Sequence, residues 1–428
     1  MDYKQAIKER AVPLKNQDDL EPLIEKIKDK KVVMLGESSH GTHEFYEWRR
    51  RISLELIQHH GFDFIAVEGD WPPSQKLNQF LKSDATEKVE KVLMGFDRWP
   101  TWMWRNSEVA ELARDLKRLG KKKSIGFYGL DVYSLFESMD EVIRNLWKID
   151  TELARSASIL YSCFEPYLND EKEYARSLFY IPEGCQKEVL EVLKKSLSQR
   201  INTAQQEGIL FDAIQNAKIV KNAENYYRAM ISMNENSWNV RDRHMMETLN
   251  TLLESHGKES KGIVWAHNTH IGDYRATDML HEGDINLGGL AREELGSENV
   301  SLIGFGTYTG TVIASHAWDG PIEVINIPEA REGSVESLFH EMVPQVKSSD
   351  YYLMFDENKS NTLEYLGHRA IGVVYQPHYE RRGNYVPTSL EHRYDAFIFI
   401  DESQALTPLG GDFDHHKFPE SYPFGSRF

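Results

Sequence analysis

Short, unbroken apolar runs recur along the chain: KVVML (31–35), DFIAVE (63–68), SIGFYGLD (124–131), GIVWAH (262–267), VSLIGF (300–305), IGVVY (371–375) and AFIFID (396–401). Continuous hydrophobicity, where a half-exposed strand would alternate, predicts strands buried on both faces, hence a largely parallel sheet flanked by helices. Between the first two runs, Thr42 is placed to start a helix. Phe45, Trp48, Ile52 and Leu56 follow helical spacing, and Gly61 stops it. That interval fits one βαβ crossover. From residue 136 to 254 the strand signal vanishes and the pattern turns polar, charged and helical, as in KEVLEVLKKSLSQRINTAQQ and NAKIVKNAENYYRAM. The expected organisation is an α/β core from 1–135 and 255–428, with a helical insertion at 136–254 lying over a substrate cleft. No fixed-period repeat or low-complexity linker separates the two. The closing GGDFDHHKFPESYPFGSRF reads as an irregular tail.

Composition narrows the class. With 40% hydrophobic and 11% aromatic residues over 428 positions, a substantial core is expected. The net charge of −17 argues against a nucleic-acid partner, which calls for a basic face. The start of the chain shows no secretory h-region, and no run is long enough to span a membrane. Cys163 and Cys185 are the two cysteines, too few for a disulfide framework or an all-cysteine metal site. The expectation is a cytoplasmic protein, monomeric or weakly self-associating, without a cofactor.

In an open α/β sheet ligands bind at the carboxyl ends of the strands, so the residues that follow each run are the informative ones. Glu37, Ser38, Ser39, His40 and His43 follow the first. Glu68, Asp70 and Trp71 follow the second, Asp131 and Tyr133 the third, and His267, Asn268 and His270 the fourth. Arg49 lies near the start of the first crossover helix. A single strand-end histidine is ordinarily a satisfied loop residue. Four strand ends that deliver acids and imidazoles to one rim are what proton transfer to water or a leaving group requires.

Three chemistries compete for these groups. His267 and His270 with Glu37 or Glu68 offer zinc-compatible donors, although H-x-x-H departs from the helical H-E-x-x-H pattern. GESSH nearly matches G-x-S-x-G with Ser38 as nucleophile, but His40 stands where the sharp elbow needs glycine. In the third, His40 is general base on water while Arg49 stabilises developing negative charge. Other motifs carry less. GFGTYTG (304–310) misses the dinucleotide fingerprint by one residue, DFDHH (412–416) lies in the tail, and YERRGNY (379–385) reads as a rim loop.

Longer stretches supply a resemblance. LGESSHGTHEFYEWRRRI followed by GFDFIAVEGDW resembles the opening signature of the erythromycin esterase family, and IVWAHNTHIGD (263–273) resembles its second histidine motif. SWNVRDRHM (237–245), VSLIGFGTYTGTVIA and RYDAFIFIDESQALTPL resemble later blocks, in order along nearly the whole chain. The resemblance implies an α/β core with a helical region over the cleft. It implies hydrolysis of a macrolide lactone ester by water, without bound metal or a serine acyl intermediate, and hence antibiotic resistance. It places the family's functional positions on Glu37, His40, Arg49, Glu68, His267 and His270. His40 is then the general base, Glu37 with Glu68 or His267 tunes it, and Arg49 and His270 bind the carbonyl or organise charged neighbours. Some members carry the name succinoglycan biosynthesis protein, which implies acylated-sugar or glycan esters as an alternative substrate. The fold is also akin to that of a haem- and iron-associated family, which implies metal or haem binding by the same histidines.

Overall fold

The structure, a computed structural model, describes residues 2–120, 125–168, 170–199, 203–231, 236–356 and 364–410. The tail and its DFDHH motif lie outside the described residues. Eleven strands are present among the described residues: β1 (Val12–Pro13), β2 (Val32–Leu35), β3 (Phe64–Val67), β4 (Gly126–Gly129), β5 (Gly262–Trp265), β6 (Val300–Ala314), β7 (Glu323–Ile327), β8 (Tyr351–Met354), β9 (Leu366–Arg369), β10 (Tyr385–Thr388) and β11 (Ala396–Ser403). Nine form one sheet in the order β1-β8-β11-β6-β2-β5-β3-β4, with β7 paired to the far half of β6. The six strands from β11 to β4 are mutually parallel. Within this sheet antiparallel pairing is confined to β1–β8, β8–β11 and β6–β7, and β9 and β10 form a separate antiparallel pair.

The central strands are buried on both faces, as their composition predicts, and successive residues feed different cores. Val33, Leu35, Ile65, Val67, Ile263 and Trp265 pack with the helix His43–His59 on one face. Val32, Met34, Phe64, Ala66 and Val264 pack on the other with the helices Ser237–His256, Leu287–Leu295 and Val335–Val346. The helix His43–His59 starts at Thr42, whose side chain makes no capping bond. A missing cap forgoes about 1 kcal/mol, whereas each of Phe45, Ile52 and Leu56, all fully buried, contributes about 1.5–3 kcal/mol. Packing decides this helix.

Two expectations need correction. IGVVY (371–375) is not a strand; Ile371 and Val374 make isolated bridges to Ser39 and Ser315, because the chain runs across the strand ends. The cysteines, too few for a framework, are nevertheless joined: Cys163 and Cys185 form one disulfide with Cα atoms 5.9 Å apart. It lies in the helical run Leu135–His256, which has its own apolar core built around Val142, Phe164, Tyr174, Ala217 and Tyr226. Its last helix, Ser237–His256, packs on the sheet instead. No described helix is long and apolar enough to cross a membrane.

Candidate active site

β2 and β5 are neighbours, and the connections after them leave for opposite faces of the sheet. The helix after β2 lies over one face, and the helix Leu287–Leu295 after β5 over the other. Such a divergence opens a crevice beyond the carboxyl ends. A cavity of about 370 Å³ lies there, lined among others by His40, Glu68, Trp238, Arg241, His267 and His270.

The turn after β2 is fixed by distant chain. The Gly41 carbonyl accepts from the backbone N–H groups of Ile313 and Leu406, and the Ser38 carbonyl accepts from Ile371 N–H at 2.7 Å. A Cβ on Gly41 would stand 1.9 Å from the Ile313 carbonyl oxygen, so only glycine fits this approach. Ser39 and Thr42 hydroxyls bond to each other. Ser38 is fully buried, its hydroxyl makes no hydrogen bond among the described residues, and it does not line the cavity. His43 opens the helix and pairs with Glu108 at 2.8 Å.

His40 is oriented by this turn and by Glu37. Its Nδ1 lies 2.9 Å from Glu37 Oε1, and Glu37 Oε2 accepts from Arg49 Nη2 at 2.6 Å. A carboxylate accepts, so Nδ1 carries a proton, and in the neutral ring Nε2 keeps its lone pair. Nε2 makes no hydrogen bond among the described residues and faces the cavity. Arg49 is fully buried, its guanidinium carbon 4.2 Å from the Tyr46 ring centroid and 4.6 Å from that of Trp265. It does not line the cavity. Of its two expected roles, binding the carbonyl or organising charged neighbours, the geometry matches the second: Arg49 sits behind Glu37 and pairs with it.

His267, the first residue beyond Ala266 after β5, caps the short helix Asn268–Ile271 by accepting on Nδ1 from Thr269 N–H. That places its proton on Nε2, which is buried, makes no well-aligned hydrogen bond among the described residues and has the Ser38 backbone beside the ring. The ring centroid lies 4.9 Å from that of His40. Burial, with the His40 ring beside it, holds His267 well below the usual imidazole range, so it is neutral. Two adjacent imidazoles thus present opposite tools, a lone pair on His40 and an N–H on His267.

His270 belongs to a buried ionic network. Its Nδ1 lies 3.0 Å from both Asp242 oxygens, and the ring stacks on Trp238 with centroids 4.3 Å apart. Arg241 donates to both Asp131 oxygens at 2.8 and 2.6 Å and to Glu68 Oε1 at 2.7 Å. Glu68 Oε2 accepts from His267 N–H at 2.8 Å, tying the network to the end of β5. Burial opposes ionisation of Glu68, but His270 and Arg241 outweigh it and hold the carboxyl well below the usual range. Arg241 Nη1 stands 2.9 Å from His270 Nε2, a contact that suits a neutral ring. Three buried carboxylates against one guanidinium weigh the other way. Burial disfavours the imidazolium, yet Asp242 and Glu68 outweigh burial and push His270 up to about 9. With Nδ1 on Asp242 and Nε2 3.4 Å from Glu68 Oε1, His270 faces the cavity as a support, both of its ring nitrogens facing carboxylates.

The six expected residues therefore converge, Glu37 and Arg49 behind His40, and Glu68 and His270 beside His267. Asp131, already marked at its strand end, joins them as a partner of Arg241. Arg241, Asp242 and Trp238 lie in SWNVRDRHM, which the sequence marks as a resembling block without singling out any of its residues for the site. The signal was present: Trp238, Met245, Leu249 and Leu252 form the helix's buried stripe, and Asp242 falls within it. Gly383 and Asn384 of the expected rim loop do line the cavity. No group of three or more His, Cys, Asp or Glu side chains with metal-holding geometry occurs among the described residues.

A family model described as erythromycin esterase matches residues 57–403. Erythromycin esterase type II of Escherichia coli is 23% identical over 382 residues, covering 78% of this chain and 85% of that protein. YbfO of Bacillus subtilis, named as a hydrolase, is 22% identical over 412 residues, covering 91% and 87%. Among solved structures, a succinoglycan biosynthesis protein superposes with a TM-score of 0.77 at 20% identity, over 94% of this chain and 97% of its own. An erythromycin esterase mutant in its open conformation superposes with a TM-score of 0.69 at 14% identity, over 96% and 99%. The structures share the fold.

Proposed function

The chain belongs to the erythromycin esterase family and is a hydrolase of that type; from this premise we propose that it cleaves an ester or lactone by water activated directly at His40. The observation that carries the reading is the pair of imidazoles in complementary states, His40 held by Glu37 and His267 held by Thr269. Water bound at His40 Nε2 gives up a proton as its oxygen attacks the carbonyl carbon. The carbonyl oxygen, gaining negative charge, accepts from His267 Nε2–H. Collapse breaks the bond to the alkoxy oxygen, which leaves as the alcohol with the proton that His40 took. General-base help of this kind is worth about 10²–10⁴-fold, and one donor to the developing oxyanion about 10²–10³-fold.

Ser38 has no part in this scheme, since it is buried away from the cavity. Ser38→Ala is expected to keep most activity, and a fluorophosphonate probe is expected to leave the protein unlabelled. A panel of macrolide lactones, simpler lactones and acylated sugars, followed by mass spectrometry before and after prolonged chelation, tests the reading. Turnover that survives chelation supports it. A covalent adduct on Ser38, or activity lost on chelation and restored by one metal, sinks it. Acylated sugars are the second substrate class, favoured by the likeness to the succinoglycan biosynthesis protein. A cavity near 370 Å³ is at the small end for drug-sized ligands, so a large lactone ring would be held by one edge.

A further inference from the structure

A second polar chain runs behind the cavity, through Asn268. This residue is buried and does not line the cavity, yet it joins three strand ends. Its backbone N–H donates to the Glu37 carbonyl beyond β2 at 2.8 Å, and it directly follows His267 beyond β5. Its side-chain amide pairs with the Phe305 peptide in β6. Nδ2 donates to the carbonyl at 2.6 Å, and Oδ1 accepts from the N–H at 3.3 Å. The strands run in the order β6-β2-β5, and the β2–β6 ladder ends at Leu35 and Ile303. The amide therefore takes the place on β6 that β2 leaves. Gly36 permits the crossing, since a Cβ there would stand 2.1 Å from Asn268 Oδ1. The far side of the amide is held by His368, whose Nε2 lies 3.2 Å from Asn268 Nδ2 and whose Nδ1 lies 2.5 Å from Glu336 Oε1. Both residues are buried and neither lines the cavity. A carboxylate accepts, so Nδ1 carries a proton. Burial outweighs Glu336 and holds His368 below the usual imidazole range, so the ring is neutral and Nε2 accepts from Asn268. A flipped amide would set its oxygen against the Phe305 carbonyl and this nitrogen, so the chain admits one orientation.

We propose that Asn268, held by His368 and Glu336, is a positioning residue for hydrolysis: it pins the ends of β2 and β5 to β6 and so sets the His267 donor against the His40 base. This rests on the hydrolase reading above and extends it to residues that never meet the substrate. Water on His40 must reach the carbonyl carbon while the carbonyl oxygen meets His267, and a displacement of about 1 Å can cost about 10²-fold. The walls that bind the rest of the substrate are made by other residues, so the loss falls on kcat and leaves KM nearly unchanged.

The test measures kcat and KM on whichever ester of the panel the wild type turns over, with circular dichroism as the folding control. Asn268→Ala is expected to lower kcat by about ten- to hundredfold with KM within about threefold of wild type. His368→Gln, whose side-chain oxygen can replace Nε2 as the acceptor, is expected to keep most of kcat, whereas His368→Leu falls as Asn268→Ala does. Gly36→Ala is expected to lower kcat alone and to cost nothing further in the Asn268→Ala background, because it acts through the amide it displaces. Histidine-selective nitrogen-15 NMR reads the same geometry without a substrate. His368 is expected as the neutral Nδ1–H tautomer, and the His267 signals are expected to move in His368→Leu. A folded Asn268→Ala or His368→Leu protein with wild-type kcat overturns the proposal. So does a loss confined to KM, an equal loss in the Gln and Leu variants, or a His368 proton on Nε2 alone. Should Asn268→Ala not fold, the His368 pair decides. Should the wild type turn over no ester, the hydrolase reading fails and the NMR alone decides this inference, His267 signals that stay put in His368→Leu overturning it.

Discussion

The support of His40 spans twelve residues of sequence, from Glu37 to Arg49, whereas that of His270 gathers Glu68, Asp131, Arg241 and Asp242, with Glu68 and Arg241 paired across 173 residues. The first is a single chain of contacts with one nitrogen left open to the cavity. The second closes on itself and leaves no ring atom free. The difference separates two kinds of importance. A group with an open valence is placed to do chemistry, and a group with none is placed to hold the scaffold. Mutation of the two arms should therefore move different observables.

The largest effect belongs to the open arm. His40→Ala is expected to lower turnover by 10²–10⁴-fold or more while circular dichroism and denaturation midpoint stay near wild type, since a cleft-facing side chain adds little to the core. A folded variant that keeps more than about a tenth of wild-type turnover would break the assignment. For the closed arm the prediction is inverted. Arg241→Met leaves Glu68 and Asp131 buried without their cation and is expected to cost about 3–5 kcal/mol of stability, read from urea unfolding, with activity falling in consequence. An Arg241→Met protein that is inactive yet as stable as wild type would move Arg241 to the chemical side of the comparison.

A smaller effect sharpens the same point through pH. His270 is raised from 6.5 to about 9 in the folded protein. A raised imidazole contributes stability that is complete below pH 6.5 and disappears as pH climbs through 9. The size is about 3 kcal/mol at most. Unfolding curves across that window should show the decline in wild type and a flatter profile in His270→Asn. Identical slopes in the two proteins would mean the network stabilises a neutral ring.

The sequence made the open arm legible because its parts are neighbours: Glu37, His40 and Arg49 fall on one turn and the helix after it. Strand ends at Glu68, Asp131 and His267 were legible for a related reason, since buried parallel strands announce where they stop. Arg241 and Asp242 were not chosen because a charged pair on a helix is ordinarily solvated. Recognising them as buried needed the stripe of Trp238, Met245 and Leu249 to be set against charges that interrupt it. β7, β9 and β10 escaped for another reason. Their burial is partial and broken, so no continuous apolar run marks them. The disulfide was invisible because pairing depends on how helices stack, and spacing alone does not report that.

The clamp on the turn after β2, in which Ser38 and Gly41 are held by Ile371, Ile313 and Leu406, also sets an order of events during synthesis. The turn leaves the ribosome among the first tenth of the chain, and its last clamp follows more than 360 residues later. At ordinary elongation speeds that is roughly 20 to 70 seconds, and contacts of such separation are the slow ones to form. Throughout that interval His40 exists without a shaped surrounding. Nascent or truncated chains that end before residue 406 lack the Leu406 bond to Gly41 even if every motif residue has been made, and are expected to be inactive.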